Sequence, residues 1–200
     1  AHKVVVTFRG CGVHPGYAKG KMVNAAKAAA RFVSRLPAHE APETTEGREG
    51  FFHVVGLHAD HERASLELIV RDFERTGNER RLQLLESHRT AMLKEFPGLS
   101  IDLEVTPQYR NMREFLKPFP FVVDRALSAM HAVGVSPLRQ AIRGGTDGSR
   151  LSELGHPTAN IFAGGHLFHS RKEWVAVHAL CKATQVILAL GQAWSEASSA

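Results

Sequence analysis

FFHVVGLHADHERASLELIVRDF, residues 51–73, holds two β-rich runs, Phe51 to Ala59 and Arg63 to Phe73, joined by Asp60-His61-Glu62. The second run alternates apolar and polar through Ala64, Leu66, Leu68 and Val70, the period of a strand with one buried face. The two runs are expected to pair as a hairpin. Upstream, Val4, Val6 and Phe8 alternate with Val5, Thr7 and Arg9, predicting a strand over residues 2–12 that ends in glycines and the turn His14-Pro15-Gly16. From Lys19 the spacing turns helical, with Met22, Ala26, Ala29, Val33 and Leu36 on one face until Pro37 stops it. Residues 38–50, rich in Pro, Glu, Thr and Gly, read as a loop. Downstream, a helix from about Gly77 to Phe96, marked by Leu82, Leu85, Met92 and Phe96, precedes a strand carrying Ile101, Leu103 and Val105. The order is βαββαβ. It predicts a ferredoxin-like, α+β unit in which an antiparallel sheet carries both helices on one face.

Beyond Asn111 the pattern becomes α/β. It predicts a helix near Phe121 to Ala132, a strand near Leu138 to Ile142, a Gly-rich turn over Arg143-Gly144-Gly145-Thr146-Asp147-Gly148 and a short helix. A strand at Asn160 to Ala163 and a His-rich loop follow. A long helix through Ala176, Leu180, Ala183, Ile187, Leu190 and Trp194 completes the chain. Two short strands cannot form a covered parallel sheet alone, so this α/β segment reads as incomplete, with its missing strands supplied from elsewhere. The opening on Ala1, running straight into a strand, reads as the interior of a longer protein.

At 200 residues, 44% hydrophobic and 22% charged, the composition is that of an ordinary globular protein. No apolar run reaches the roughly 20 residues of a membrane-spanning helix, and no signal peptide is evident, so a cytoplasmic protein without a membrane partner is expected. Cys11 and Cys181 are the only cysteines, which argues against a disulfide framework and against zinc held by paired thiolates. The net charge of +5 is spread along the chain rather than gathered into a stripe. Strand Arg63 to Val70 lacks the exposed aromatics on which βαββαβ domains stack bases, so nucleic acid is not an expected partner.

Taken singly, the chemistry-bearing residues are ambiguous. His169 could be a solvated loop histidine, and His14 could merely occupy its turn. Arg71, on the opposite strand face from Leu68 and Val70, could face water. The turn from Arg143 fits neither phosphate-binding fingerprint.

Taken in order, the segments resemble peptidase T, a family of dizinc tripeptide aminopeptidases. They are residues 13–16, Ala18 to Ala25, Pro42 to Gly47, Ile69 to Phe73, Tyr109 to Glu114, Ile142 to Gly148, and Asn160-Ile161-Phe162 leading to His169. The resemblance implies a lid or dimerisation domain over residues 1–112 and, over 113–200, the final part of a zinc-exopeptidase catalytic domain. It implies that His169 is a zinc ligand of a two-ion site, with the remaining ligands and the general-base glutamate upstream, so that this chain alone binds zinc weakly and is inactive. It further implies that His14 stabilises the oxyanion of the reaction, in its own subunit or a neighbour's, and that Arg71 grips a substrate carboxylate. Asn24, Arg143, Gly145, Thr146 and Asp147 would lie near a short peptide substrate, with a homodimer formed through the first domain. Lys172 and Ser170 depart from the family's usual histidine and glycine after the ligand. An isolated binding module, or a related dizinc amidohydrolase acting on another peptide or acyl-amino acid, are the alternatives.

Overall fold

The structure, a computed structural model, describes residues 1–197. The chain divides into two compact units, one of residues Ala1–Tyr109 and one beginning at Arg110.

In the first unit the strands are β1 (His2–Arg9), β2 (Phe51–Ala59), β3 (Arg63–Arg71) and β4 (Ser100–Pro107), with helices α1 (Ala25–Ser34) and α2 (Arg75–Glu95). The sheet order is β2-β3-β1-β4 and every neighbouring pair is antiparallel. This is the split βαβ arrangement that the order of elements predicts. Alternation sends Val4, Val6 and Phe8 of β1, Leu66, Leu68 and Val70 of β3 and Ile101 of β4 to one face. There they meet Ala25, Ala28, Ala29 and Phe32 of α1 and Leu85 and Met92 of α2. Phe8 and Phe32 pack edge to face at 5.6 Å. Full burial of side chains of this size contributes about 1.5–3 kcal/mol each.

Several boundaries differ from the sequence expectation, each for a local reason. β1 stops at Arg9 rather than residue 12, because Gly10 donates to Glu62 O at 2.7 Å and Cys11 pairs with Val23. A Cβ on Gly10 would collide with the Val23 carbonyl, so only glycine permits that close approach. α1 begins at Ala25 rather than near Lys19, since residues 15–17 form a 3-10 turn, Gly20 takes φ +72° and Asn24 caps the helix. The buried stripe is therefore Ala25, Ala28, Ala29 and Phe32, without Met22 or Ala26. β3 ends at Arg71, two residues before Phe73.

The second unit holds α3 (Arg113–Leu116), α4 (Pro120–Ala132), α5 (Asp147–Glu153), the two-residue strands β5 (Gly165–His166) and β6 (Trp174–Val175), and α6 (Val177–Ala197). α4 and α6 pack together through Ala129, Met130 and Val186. Neither the strand expected at 138–142 nor that at 160–163 forms. Their backbones find no neighbouring strand among the described residues, and an extended segment without a ladder partner is not a strand. Leu138 and Ile142 stand 79% and 54% exposed. The short β5–β6 ladder carries no signal in the sequence. On α6 the inward face is Ala183 and Val186, while Leu180 and Ile187 of the expected stripe are exposed. Among the described residues no helix is long and apolar enough to cross a membrane.

Candidate functional site

Three of the sequence-derived residues fall in the first unit, at the two ends of its sheet. His14 follows β1 at the end where the β2–β3 turn lies. It is exposed and caps the turn Pro15–Tyr17, its Nδ1 accepting from the Gly16 N–H at 3.1 Å, with the Tyr17 ring 5.5 Å away. Because Nδ1 is an acceptor, the neutral imidazole carries its proton on Nε2, which is left as a donor. Asn24 is at the same end. Its Oδ1 accepts from the Lys27 N–H at 3.0 Å, and the next residue, Ala25, donates to His61 O at 3.0 Å.

Arg71 closes β3 at the opposite end, where Val70 pairs with His2. Seven steps along β1 separate the two ends, about 23 Å at the usual rise of a strand. A single copy of the first unit therefore does not bring His14 and Arg71 together.

Around Arg71 the structure assembles residues that sequence reasoning did not single out. Its guanidinium carbon lies 6.0 Å from the Phe51 ring and 5.8 Å from the Tyr109 ring. Burial raises the Tyr109 phenol pKa, while the charge and hydrogen bond of Arg71 act in the opposite direction. The adjacent Asp72 contacts Arg81, a buried arginine of α2. Tyr109 opened one of the quoted motif segments; nothing in sequence tied it to Arg71.

In the second unit, Thr146 is the N-cap of α5, its Oγ1 accepting from the Ser149 N–H at 3.2 Å. Asn160 Nδ2 donates to the same oxygen at 3.1 Å. Asp147 begins the helix and is exposed, Gly145 is exposed and Arg143 is half-buried. His169 sits in the loop between β5 and β6, exposed, at φ +65°, with its backbone N–H bonded to Glu173 Oε2 at 2.9 Å. Next to this loop, His166 stacks on Trp174 at 4.3 Å. No group of three or more His, Cys, Asp or Glu side chains among the described residues is placed to hold a metal ion. The residues present thus do not by themselves fit a zinc site, which needs at least three protein ligands.

Residues 1–98 match the peptidase dimerisation domain family. Over 199 residues, all but one of the chain, it is 42% identical to peptidase T of Geobacillus kaustophilus, and over 187 residues it is 45% identical to peptidase T of Vibrio parahaemolyticus. Along its whole length the chain matches the C-terminal half of these peptidase T sequences. It covers 100% of its own length but 48% of the first of these relatives, so it spans about half the length of the curated peptidase T sequences that it matches. Among solved structures, an aminopeptidase from Bacillus cereus superposes with TM-score 0.72 at 21% identity, covering 94% of this chain and 50% of that one. A tripeptidase from Staphylococcus aureus superposes with TM-score 0.75 at 18% identity over the same shares. At those identities the superpositions speak for the fold shared with peptidase T.

Proposed function

We propose that the chain is the lid domain and the last catalytic segment of a zinc-dependent aminopeptidase that removes the N-terminal residue of tripeptides in the cytoplasm. The peptidase T match along the whole chain is the observation that carries this reading. In it, Arg71 binds the carboxylate at the far end of the peptide, a task suited to a planar, permanently charged fork. His14 donates Nε2–H to the oxygen on which negative charge develops, and the Gly16 bond to Nδ1 holds it in the tautomer that can donate. His169 supplies one imidazole to a metal whose other ligands lie outside this chain, and Arg143, Gly145, Thr146, Asp147 and Asn24 border the peptide. Alone, the chain is inactive.

The distance between His14 and Arg71 supports a homodimer in which each site combines Arg71 of one copy with His14 of the other. A full-length protein containing this chain tests both parts. His14→Ala and Arg71→Ala variants should each lose tripeptide hydrolysis. When the two inactive variants are co-expressed, half of the dimers are mixed and each mixed dimer regains one intact site, so about a quarter of wild-type activity should return. No return of activity sinks the shared site, and hydrolysis undiminished in both single variants sinks the roles given to the two residues.

A further inference from the structure

Phe51 faces Arg71 in the β2–β3 register, on the side of the sheet away from the helices, and is nevertheless only 6% exposed. Tyr109 reaches the same place from the far side of β1. Past β4 the chain crosses the start of β1, where the Gln108 N–H donates to Ala1 O at 3.0 Å, and it delivers the Tyr109 ring to within 5.8 Å of the Arg71 guanidinium carbon. The guanidinium thus has an aromatic ring from β2 at 6.0 Å and another, at 5.8 Å, from the segment just past β4. Rings at this range attract a cation through their faces and restrict where it can swing.

We propose that Tyr109 is a positioning residue: with Phe51 it walls the Arg71 guanidinium, and its phenol oxygen accepts an Arg71 N–H, so that the fork is held ready for the carboxylate of a peptide. The inference rests on the carboxylate-binding reading of Arg71. An arginine on a flexible stem loses rotamer freedom whenever it grips an anion, and confinement beforehand reduces that loss. The effect therefore belongs in substrate affinity and not in turnover. It also belongs only to substrates that carry the carboxylate.

Two measurements separate this inference from the reading beneath it. The chain has two tyrosines, so a Tyr17→Phe chain leaves Tyr109 as the only phenol for an ultraviolet titration. Adding Arg71→Gln should push the Tyr109 titration higher, since Arg71 stabilises the phenolate. An unmoved titration means the two side chains do not touch, and overturns the proposal whatever the enzyme does. In the full-length peptidase, KM is then compared for a tripeptide with a free and with an amidated C-terminus. Tyr109→Ala should raise KM for the free peptide about tenfold with kcat and the amidated peptide unchanged, and Tyr109→Phe, which keeps the ring, should raise it about threefold. If Arg71→Ala discriminates the two peptides and neither Tyr109 variant does, or if Tyr109 variants weaken both peptides equally, the positioning role is overturned. If Arg71→Ala itself fails to discriminate while the titration shift is present, the carboxylate reading of Arg71 falls, and the positioning role falls with it.

Discussion

Arg81 Nε lies 2.8 Å from Glu40 Oε2, joining α2 to the loop before β2, and both side chains are largely withdrawn from water at 6% and 12% exposure. The same guanidinium contacts Asp72 beside Arg71, and Arg80 reaches both oxygens of Glu40 at 2.9 Å. Removing one member of such a group leaves the others charged and uncompensated in a low-dielectric setting. Arg81→Ala should therefore destabilise the first unit by about 3–5 kcal/mol in urea denaturation. A loss below about 1 kcal/mol would show the group to be no stronger than a surface ion pair.

Asn24 serves the helix cap through Oδ1, which an aspartate can replace and an alanine cannot. Asn24→Ala should cost about 1 kcal/mol and Asn24→Asp only a few tenths, read from thermal unfolding. Should Asn24→Asp keep stability and still raise KM for the tripeptide hydrolysis proposed for a full-length protein containing this chain, Asn24 also meets the peptide.

Gly148 lies inside α5, where alanine would ordinarily be favoured by about 1 kcal/mol. Here a Cβ would come within 2.7 Å of Asn160 Oδ1, with Thr158 O next at 3.3 Å. Gly148→Ala should destabilise the second unit by about 1–3 kcal/mol. In an Asn160→Ala background the closer obstruction is gone and only Thr158 O at 3.3 Å remains, so the same substitution should cost clearly less. Equal costs in both backgrounds would locate the strain elsewhere.

His2 and His88 both have pKa values held below the usual 6.5. Burial is the larger cause in each; Arg35 adds to it at His88, whose ring lies 5.9 Å from Phe32 between the helices. A lowered folded-state pKa means that the unfolded chain binds protons first as pH falls. Stability should thus be fully present above about pH 6.5 and decline as pH drops through the folded-state values. Melting temperatures between pH 7.5 and 5 check this, and His88→Gln should flatten the decline.

Much of the first unit was legible because its signals are local and one-sided. Leu66, Leu68 and Val70 declare a half-buried strand, and the βαββαβ order leaves few topologies. The start of α1 was not legible, because Met22 keeps helical spacing with Ala26 and Ala29 while the chain around it is spent on the pairing of Cys11 with Val23. In the second unit, Leu138 to Ile142 carries strand composition, but a strand exists only where another backbone is present to receive its hydrogen bonds. Of the candidate residues, His14, Arg71 and His169 could be named from motif order. What surrounds them could not: Tyr109 meets Arg71 only because β1 inserts between β3 and β4.

That insertion also sets an order of assembly. β1 is made first, yet its partners on either side end at Arg71 and Pro107, so it has no complete ladder until the whole first unit has been synthesised. The β2–β3 hairpin closes over a short turn and can form early, whereas docking β1 closes long loops and is correspondingly slow. Until then the hairpin shows the newly made chain an open edge at β3, and residues 2–9 are the segment that seals it.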